Sequence, residues 1–420
     1  MTRPSPRVSS HRLDPALPML LFAVAVAVSP EFNFLGFPKV RVSDLLLPVL
    51  LMVFAGARAT EAPGDRRSAR LRKKPPIPLL GPMVGILLWD LSSYFLFSPD
   101  EPLRIGALYL VKRAEFFLIY LLGVLAVTSP WAWIRIITPF MMAAPILNLS
   151  VLWQLHSNPE LRRASGIIEG QETSTALFIV VVLGAALGAW PSMKDRRERG
   201  ALLLAGVTGV AALMATGSRA GLLCGLVVAL LQILRDRKNR GSMLAVLVLL
   251  ASFAWIAMPE KVLERFERGP EEIASAWRGL VVNPEEMPSA GSSSVAARVV
   301  IGQRVLQEVI PQSPIFGLGT GRLALGLVDN MYLTEWIYHG MVGLFLFGTL
   351  LVSMFSLLGG IRRKARDPLL KSLAGSMQSV LVALIVSGLA AETFYLIRPM
   401  EAYMLLLGLV VGRSRLVEEA

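Results

Sequence analysis

The chain has 420 residues, of which 54% are hydrophobic and only 17% charged, a balance too apolar for an ordinary soluble domain. The formal net charge is +12; the basic residues sit mostly in short links between apolar runs, where they set membrane topology, so nucleic acid is not expected as a partner. One cysteine, Cys224, excludes an internal disulfide, and His11, His156 and His339 leave no zinc-ligand spacing, so no metal or other cofactor is expected.

Met1 to Ser29 starts with Arg3, Arg7 and Arg12 and continues into an apolar stretch, Leu17 to Val28. It has the outline of a signal peptide, but no small-residue cleavage site stands out and a second apolar run follows at once. The reading is a retained first span. A link, Pro30 to Val42, leads to the second span, Asp44 to Ala57. The next link carries Arg66, Arg67, Arg70, Arg72, Lys73 and Lys74, the strongest inside signal in the chain. Further spans are expected at Ile77–Phe97, Ile105–Val127, Trp131–Trp153, Thr173–Trp190 and Ala201–Ala215, with an eighth after Thr216-Gly-Ser-Arg-Ala-Gly221. The last four are Met243–Met258, Tyr332–Leu358, Leu373–Ala391 and Phe394–Val411. Each run is long enough, or nearly so, to cross a bilayer.

The predicted fold is therefore an all-α, polytopic integral membrane protein of about 12 transmembrane helices. With the N-terminus inside, every dense basic link falls on one side: Arg58–Lys74, Lys194–Arg199, Arg235–Arg240, Arg362–Arg366 and the C-terminus. Both termini are then cytoplasmic. The long hydrophilic segment, the loop 154–172 and the Thr-Gly-Ser-Arg turn face outward. Three regions follow: 1–258 with spans one to nine, 259–331 as a large helical outer loop, and 332–420 with the last three spans. Within the loop, Val299, Gly302, Leu306 and Val309 share one helical face, which fits a helix lying on protein or on the membrane surface.

Outward arginines carry information because the inside rule does not explain them. Arg219 stands where Thr216-Gly-Ser turns into an apolar helix, and unpaired N–H groups at a helix start favour a phosphate there; a snorkelling interfacial arginine is the plainer reading. Lys112 and Arg113 lie about two turns into a span, where charge needs a partner or a cavity. Lys112 has Glu115 at i, i+3, whereas Arg113 has no partner at such spacing. Gly317, Gly319 and Gly321 would let backbone approach a ligand closely, followed by Arg322, although most such strings are plain turns. Asp329 suits a general base accepting a proton from a sugar hydroxyl, or a helix N-cap. His339, inside the tenth span, suits a proton acceptor or a buried hydrogen-bonded residue.

Taken together, Thr216-Gly-Ser-Arg219-Ala-Gly, Ser294…Arg298, Ser313-Pro-Ile-Phe-Gly-Leu-Gly-Thr-Gly321 and Asp329-Asn-Met-Tyr-Leu333…Gly340-Met-Val-Gly343 resemble the O-antigen ligase / O-antigen polymerase family. The motifs cover roughly residues 200–345, and their order around one outer loop makes the likeness fairly specific. The resemblance implies a multi-pass protein of the bacterial inner membrane. It implies a metal-independent glycosyltransferase on the periplasmic face, moving glycan from an undecaprenyl-diphosphate-linked donor to a glycan acceptor. Membrane lipid and a chain-length regulator or flippase are the implied partners. By position, Arg219 and Arg298 correspond to the arginines thought to hold the donor diphosphate, with Arg322, Arg113 and Lys112 as further cations. Gly317, Gly319 and Gly321 correspond to the glycine turn, and Asn330 and Tyr332 to the His-Asn-x-Tyr-Leu-type motif. The chain has Asp329 where the ligases usually have histidine, and His339 near where many members have an acidic residue. That departure makes a polymerase of repeat units the first expectation and a ligase to a lipid or protein acceptor the second. A transporter or flippase of an anionic lipid or solute is the rival from another class.

Overall fold

A computed structural model describes residues 16–29, 31–34, 37–59, 76–97, 103–129, 131–158, 160–161, 163–167, 171–193, 195–235, 301–320 and 328–418, with isolated positions between 240 and 262 and at 298. Gly321, Arg322, most of the ninth apolar run and most of the long hydrophilic segment lie outside the described residues.

The described chain is helical apart from one short antiparallel hairpin, β1 (Glu31–Phe34) and β2 (Phe37–Arg41), in the stretch read as a plain link. The helices are α1 (Ala16–Val28), α2 (Val42–Ala59), α3 (Leu80–Phe97), α4 (Leu103–Ala126), α5 (Ala132–Ser157), α6 (Glu172–Ala189), α7 (Arg196–Ala215), α8 (Arg219–Arg235), α9 (Met331–Lys364), α10 (Pro368–Ser387) and α11 (Ile397–Glu418). Six of them, α3, α5, α6, α7, α9 and α10, are long and apolar enough to cross a membrane, and α1 and most of α2 are shorter apolar helices. α4 and α11 have the length, but Lys112, Arg113 and Glu115 interrupt one and Arg398 and Glu401 the other. The architecture is that of a polytopic membrane protein.

α6 is the centre of the bundle. It packs on α7, α8, α10 and α11, and nearly every residue from Ser174 to Ala189 is buried. A helix apolar on every side has no face for water, so it is enclosed by its neighbours. Close approach comes from small residues: a Cβ on Gly184 would lie 2.3 Å from the Val380 side chain, and one on Gly188 would lie 2.2 Å from Ser376 Oγ.

Cross-helix hydrogen bonds fix the directions. Cys224 Sγ donates to Ala383 O at 3.1 Å, while Arg235 Nη2, near the other end of α8, donates to Gln378 Oε1 at 3.0 Å. α8 and α10 are therefore antiparallel, and Arg219 lies level with the end of α10. Met331 N, opening α9, donates to Gly388 O at 2.8 Å at that same end. At the opposite end Arg413 pairs with Asp367 at 3.1 Å, and the Arg235 side chain reaches Gly375 and Ser379 near the middle of α10. The basic ends of α8, α9 and α11 thus lie along the first half of α10, away from Arg219 and Asp329.

The helical stretch before the glycine turn departs from its expected register. Val305 and Val309 are buried against Leu318, Val328, Ile337 and Tyr338, whereas Leu306, expected on the packed face, is 50% exposed. A single π-turn over Val305–Val309 adds a residue to the turn and rotates the buried face by one position. Arg304 pairs with Glu308 at 2.8 Å on the exposed side, a solvated ion pair.

Candidate functional site

The site forms where α9 is broken. Gly340 has φ 66° and ψ −166°, so the helix stops there and restarts. In an unbroken helix Met341 N and Val342 N would donate to Ile337 O and Tyr338 O. Here Met341 N donates to Pro314 O at 3.0 Å and Val342 N to Ile315 O at 3.2 Å. The freed carbonyls are taken by the same loop: Leu318 N donates to Ile337 O at 2.7 Å and Gly319 N to Tyr338 O at 3.1 Å. α3 completes the exchange, with Ser93 Oγ donating to Tyr338 O at 2.9 Å and Trp89 Nε1 to His339 O at 3.0 Å. Irregular backbone at membrane depth persists only where protein satisfies it, and this break meets that condition group by group.

The glycine turn thus has an observed partner. A Cβ on Gly317 would lie 2.5 Å from Tyr338 O and 2.6 Å from Gly340 N. The close backbone approach expected toward a ligand is, at Gly317, an approach to α9 itself. Gly319, at φ 96°, supplies the second left-handed position of the turn.

Below the break lies a buried ion network. Arg113 Nη1 donates to both oxygens of Asp90, at 2.9 and 3.0 Å, and Nη2 donates to Glu335 and to the Tyr395 hydroxyl. Tyr395 also donates to Glu335 Oε1 at 3.0 Å, and its ring lies 4.9 Å under the guanidinium. His339 completes the frame: Nδ1 is 2.8 Å from Glu335 Oε2, and Nε2 is 3.2 Å from Asp90 Oδ1 and 3.0 Å from Thr320 Oγ1. The Thr320 hydroxyl is oriented to donate to Asp90 O at 3.3 Å, so oxygen atoms flank both ring nitrogens of His339. The network gathers two carboxylates around one guanidinium and the His339 ring. Arg113, which lacked a partner along its own helix, finds two on α3 and α9.

Lys112 belongs to a different cluster. One helical position turns a side chain by about 100°, and its ammonium meets Asp44 at 3.0 Å and Glu115 at 2.9 Å. Glu401 joins from α11, 3.5 Å from Arg41. Oxygens of Asp44, Glu115 and Glu401 lie within 4.8 Å of one another, a grouping able to ligate a cation. Lys112 and Arg41 already supply cationic groups there.

Just before α9, Arg298 Nε donates to Asp329 Oδ2 at 2.9 Å, both side chains being about half exposed. The N-cap of α9 is Asn330, not Asp329: its Oδ1 accepts from Tyr332 N at 3.0 Å and Leu333 N at 3.1 Å. Asn330 Nδ2 donates to Leu389 O, and the Tyr332 hydroxyl donates to Ile385 O at 2.6 Å, tying this cap to α10. Thr334 donates to Glu392 Oε1 at 2.8 Å. Burial pushes the Glu392 carboxyl above its ordinary range; the charges of Asp329 and Glu335 add to this, and the Thr334 bond partly offsets it.

That shift has a sign that a melt can read. The folded protein holds the Glu392 proton more tightly than the unfolded chain. The resulting stability is complete below the ordinary glutamate pKa and is lost as pH rises through the raised value. Glu392→Gln should remove this loss, so thermal melts of variant and parent in one detergent should diverge as pH rises from about 4.5. Parallel curves would show that Glu392 titrates normally.

Asp90, Glu335, Tyr395, Thr320 and Glu392 were not among the residues read from sequence. Asp90 was the most findable, a lone carboxylate inside the apolar run Ile77–Phe97. Comparison with protein-family models and with curated proteins finds no match to this chain.

Proposed function

We propose that the chain is a membrane glycosyltransferase that polymerises undecaprenyl-diphosphate-linked glycan repeat units on the periplasmic face of the bacterial inner membrane. The supporting observation is the placement of Arg219, the Arg298–Asp329 pair and the glycine turn at one end of the bundle, with basic helix ends at the other. The basic end is cytoplasmic by the inside rule, which puts the arginines and the turn outside.

In this reading Arg219 and Arg298 hold the donor diphosphate, and fixed positive charge makes it a better leaving group. The incoming diphosphate competes for Arg298 and releases Asp329. The acceptor hydroxyl oxygen attacks the anomeric carbon, the bond from that carbon to the diphosphate oxygen breaks, and the hydroxyl proton passes to Asp329. The buried frame around Arg113, with His339 inside it, holds the broken helix in register rather than touching the acceptor. Transfer to a lipid or protein acceptor uses the same donor steps.

The purified protein in nanodiscs with a lipid-linked repeat unit should yield lengthened glycan and free undecaprenyl diphosphate. Arg219→Ala should lower the rate at least about a hundredfold, the scale of losing a fixed oxyanion-stabilising donor. Full activity in that variant removes the diphosphate grip from the mechanism.

A second reading has its own observation. Two buried ion clusters, around Arg113 and around Lys112, are features that membrane transporters also use. Movement of a lipid-linked glycan across vesicles with no covalent product would favour transport.

A further inference from the structure

A cavity of about 610 Å³ opens at the same end of the bundle, outside the network just described. The last turn of α5, the link after it and the first turn of α6 enclose it, with Trp153, Gln154, Asn158, Arg163, Ser165 and Glu172 in its walls. Its size is that of a small-molecule site, but its lining is more polar than such sites usually are.

The walls have a definite chemistry. Gln154 Oε1 accepts from Ser165 N at 2.9 Å and Gly166 N at 2.8 Å, so what Gln154 still offers is its amide N–H groups. Arg163 lies 3.5 Å from Glu172, and its Nε is buried with no hydrogen-bond partner. Asn158 adds a donor and an acceptor. The Trp153 indole is 70% exposed, with the His156 ring 6.2 Å away. A lone phosphate would meet the Glu172 carboxylate, and an acyl chain would strand the amides and the ion pair. A pyranose ring suits both features: its C–H face can lie on the indole, and its hydroxyls both donate and accept.

We infer that this cavity binds a sugar of the glycan chain, at a subsite separate from the diphosphate grip. The inference rests on the reading of the chain as an enzyme of lipid-linked glycan. The two sites share one end of the bundle, because α6 runs antiparallel to α10: a Cβ on Gly188 would meet Ser376 and one on Gly184 would meet Val380. The start of α6 therefore lies level with Gly388 and the Arg298–Asp329 pair. A glycan whose diphosphate is held by Arg219 and Arg298 would extend across this face.

The probe is the oligosaccharide released by mild acid from the lipid-linked glycan that accumulates in cells lacking the protein. Calorimetry with the full chain in nanodiscs should show saturable binding. Asn158→Ala, Glu172→Gln and Trp153→Ala should each weaken it at least tenfold, and the isosteric Glu172→Gln guards against misfolding as the cause. Trp131, an exposed indole at the other end of α5, is the control: Trp131→Ala should leave affinity unchanged. Absence of saturable binding, or one affinity for all the variants, overturns the subsite. If no lipid-linked glycan accumulates, the glycosyltransferase reading itself fails, and the subsite with it.

Discussion

Arg113→Ala should cost about 3–5 kcal/mol of stability, the scale of breaking a buried ion pair from one side. The substitution leaves Asp90 and Glu335 facing each other in a water-poor frame with only His339 between them. It also removes the acceptor-matched donor from Tyr395. Most of the loss comes from stranding carboxylates, so neutralising them should recover much of it. The triple variant Arg113→Met, Asp90→Asn, Glu335→Gln should be more stable than Arg113→Ala alone. The exposed pairs Arg298–Asp329 and Arg304–Glu308 supply the contrast: Arg304→Ala should change stability by less than about 1 kcal/mol. Denaturant titration in one detergent, followed by far-UV circular dichroism, measures all of these. If Arg113→Ala and Arg304→Ala cost the same, the buried network contributes nothing to the fold.

The helices were largely legible because lipid-facing and buried residues are both apolar, so a run of apolar residues marks a span wherever it packs. Expected and observed helices agree within a few residues at α1, α2, α3, α4, α5 and α6. Local polar chemistry was legible in part. Arg113, Asp329 and His339 stood out as charges or titratable groups near membrane; Glu335, four residues before His339 on the same helix, was within reach of the helical spacing rule and was missed. The partners of Arg113 arrive from distant helices: Asp90 lies 23 residues away, and Glu335 lies 222. No spacing rule along one helix reaches that far. Lys112 and Arg113 looked like one site because they are adjacent in sequence, and helical geometry sends them to separate clusters. The π-turn at Val305–Val309 was hidden for a related reason, since face-counting assumes a constant 3.6 residues per turn. The glycines were recognised as marking close approach, but what they approach is a bend in α9, and a helix break at Gly340 is not visible in an apolar run that continues past it to Leu358.

That bend carries the second large effect. Gly340→Ala should destabilise the protein by more than about 3 kcal/mol, for two reasons that add. At φ 66° and ψ −166° the backbone occupies a region open essentially to glycine alone, worth about 1–3 kcal/mol by itself. The new Cβ would also lie 2.1 Å from Ile315 O, a backbone atom that cannot turn aside as a side chain would. Relief requires the loop 314–319 to lift from α9, and lifting it breaks the exchanged hydrogen bonds from Met341, Val342, Leu318 and Gly319. Gly317→Ala should act through the same contact, because its Cβ would meet Gly340 N at 2.6 Å, so the two substitutions together should cost less than their sum. Gly348 lies on the same helix beyond the break, with nothing within 4 Å of a Cβ built there. Gly348→Ala should therefore stabilise by up to about 1 kcal/mol, through the better helix propensity of alanine. Opposite signs for two identical chemical changes eight residues apart would tie the effect to the bend, and equal melting temperatures for the two variants would mean that α9 runs straight through Gly340. The segment Met331–His339 hangs on this bend and carries Glu335 and His339, so under the proposed glycosyltransferase function Gly340→Ala should also lower transfer in the fraction that remains folded.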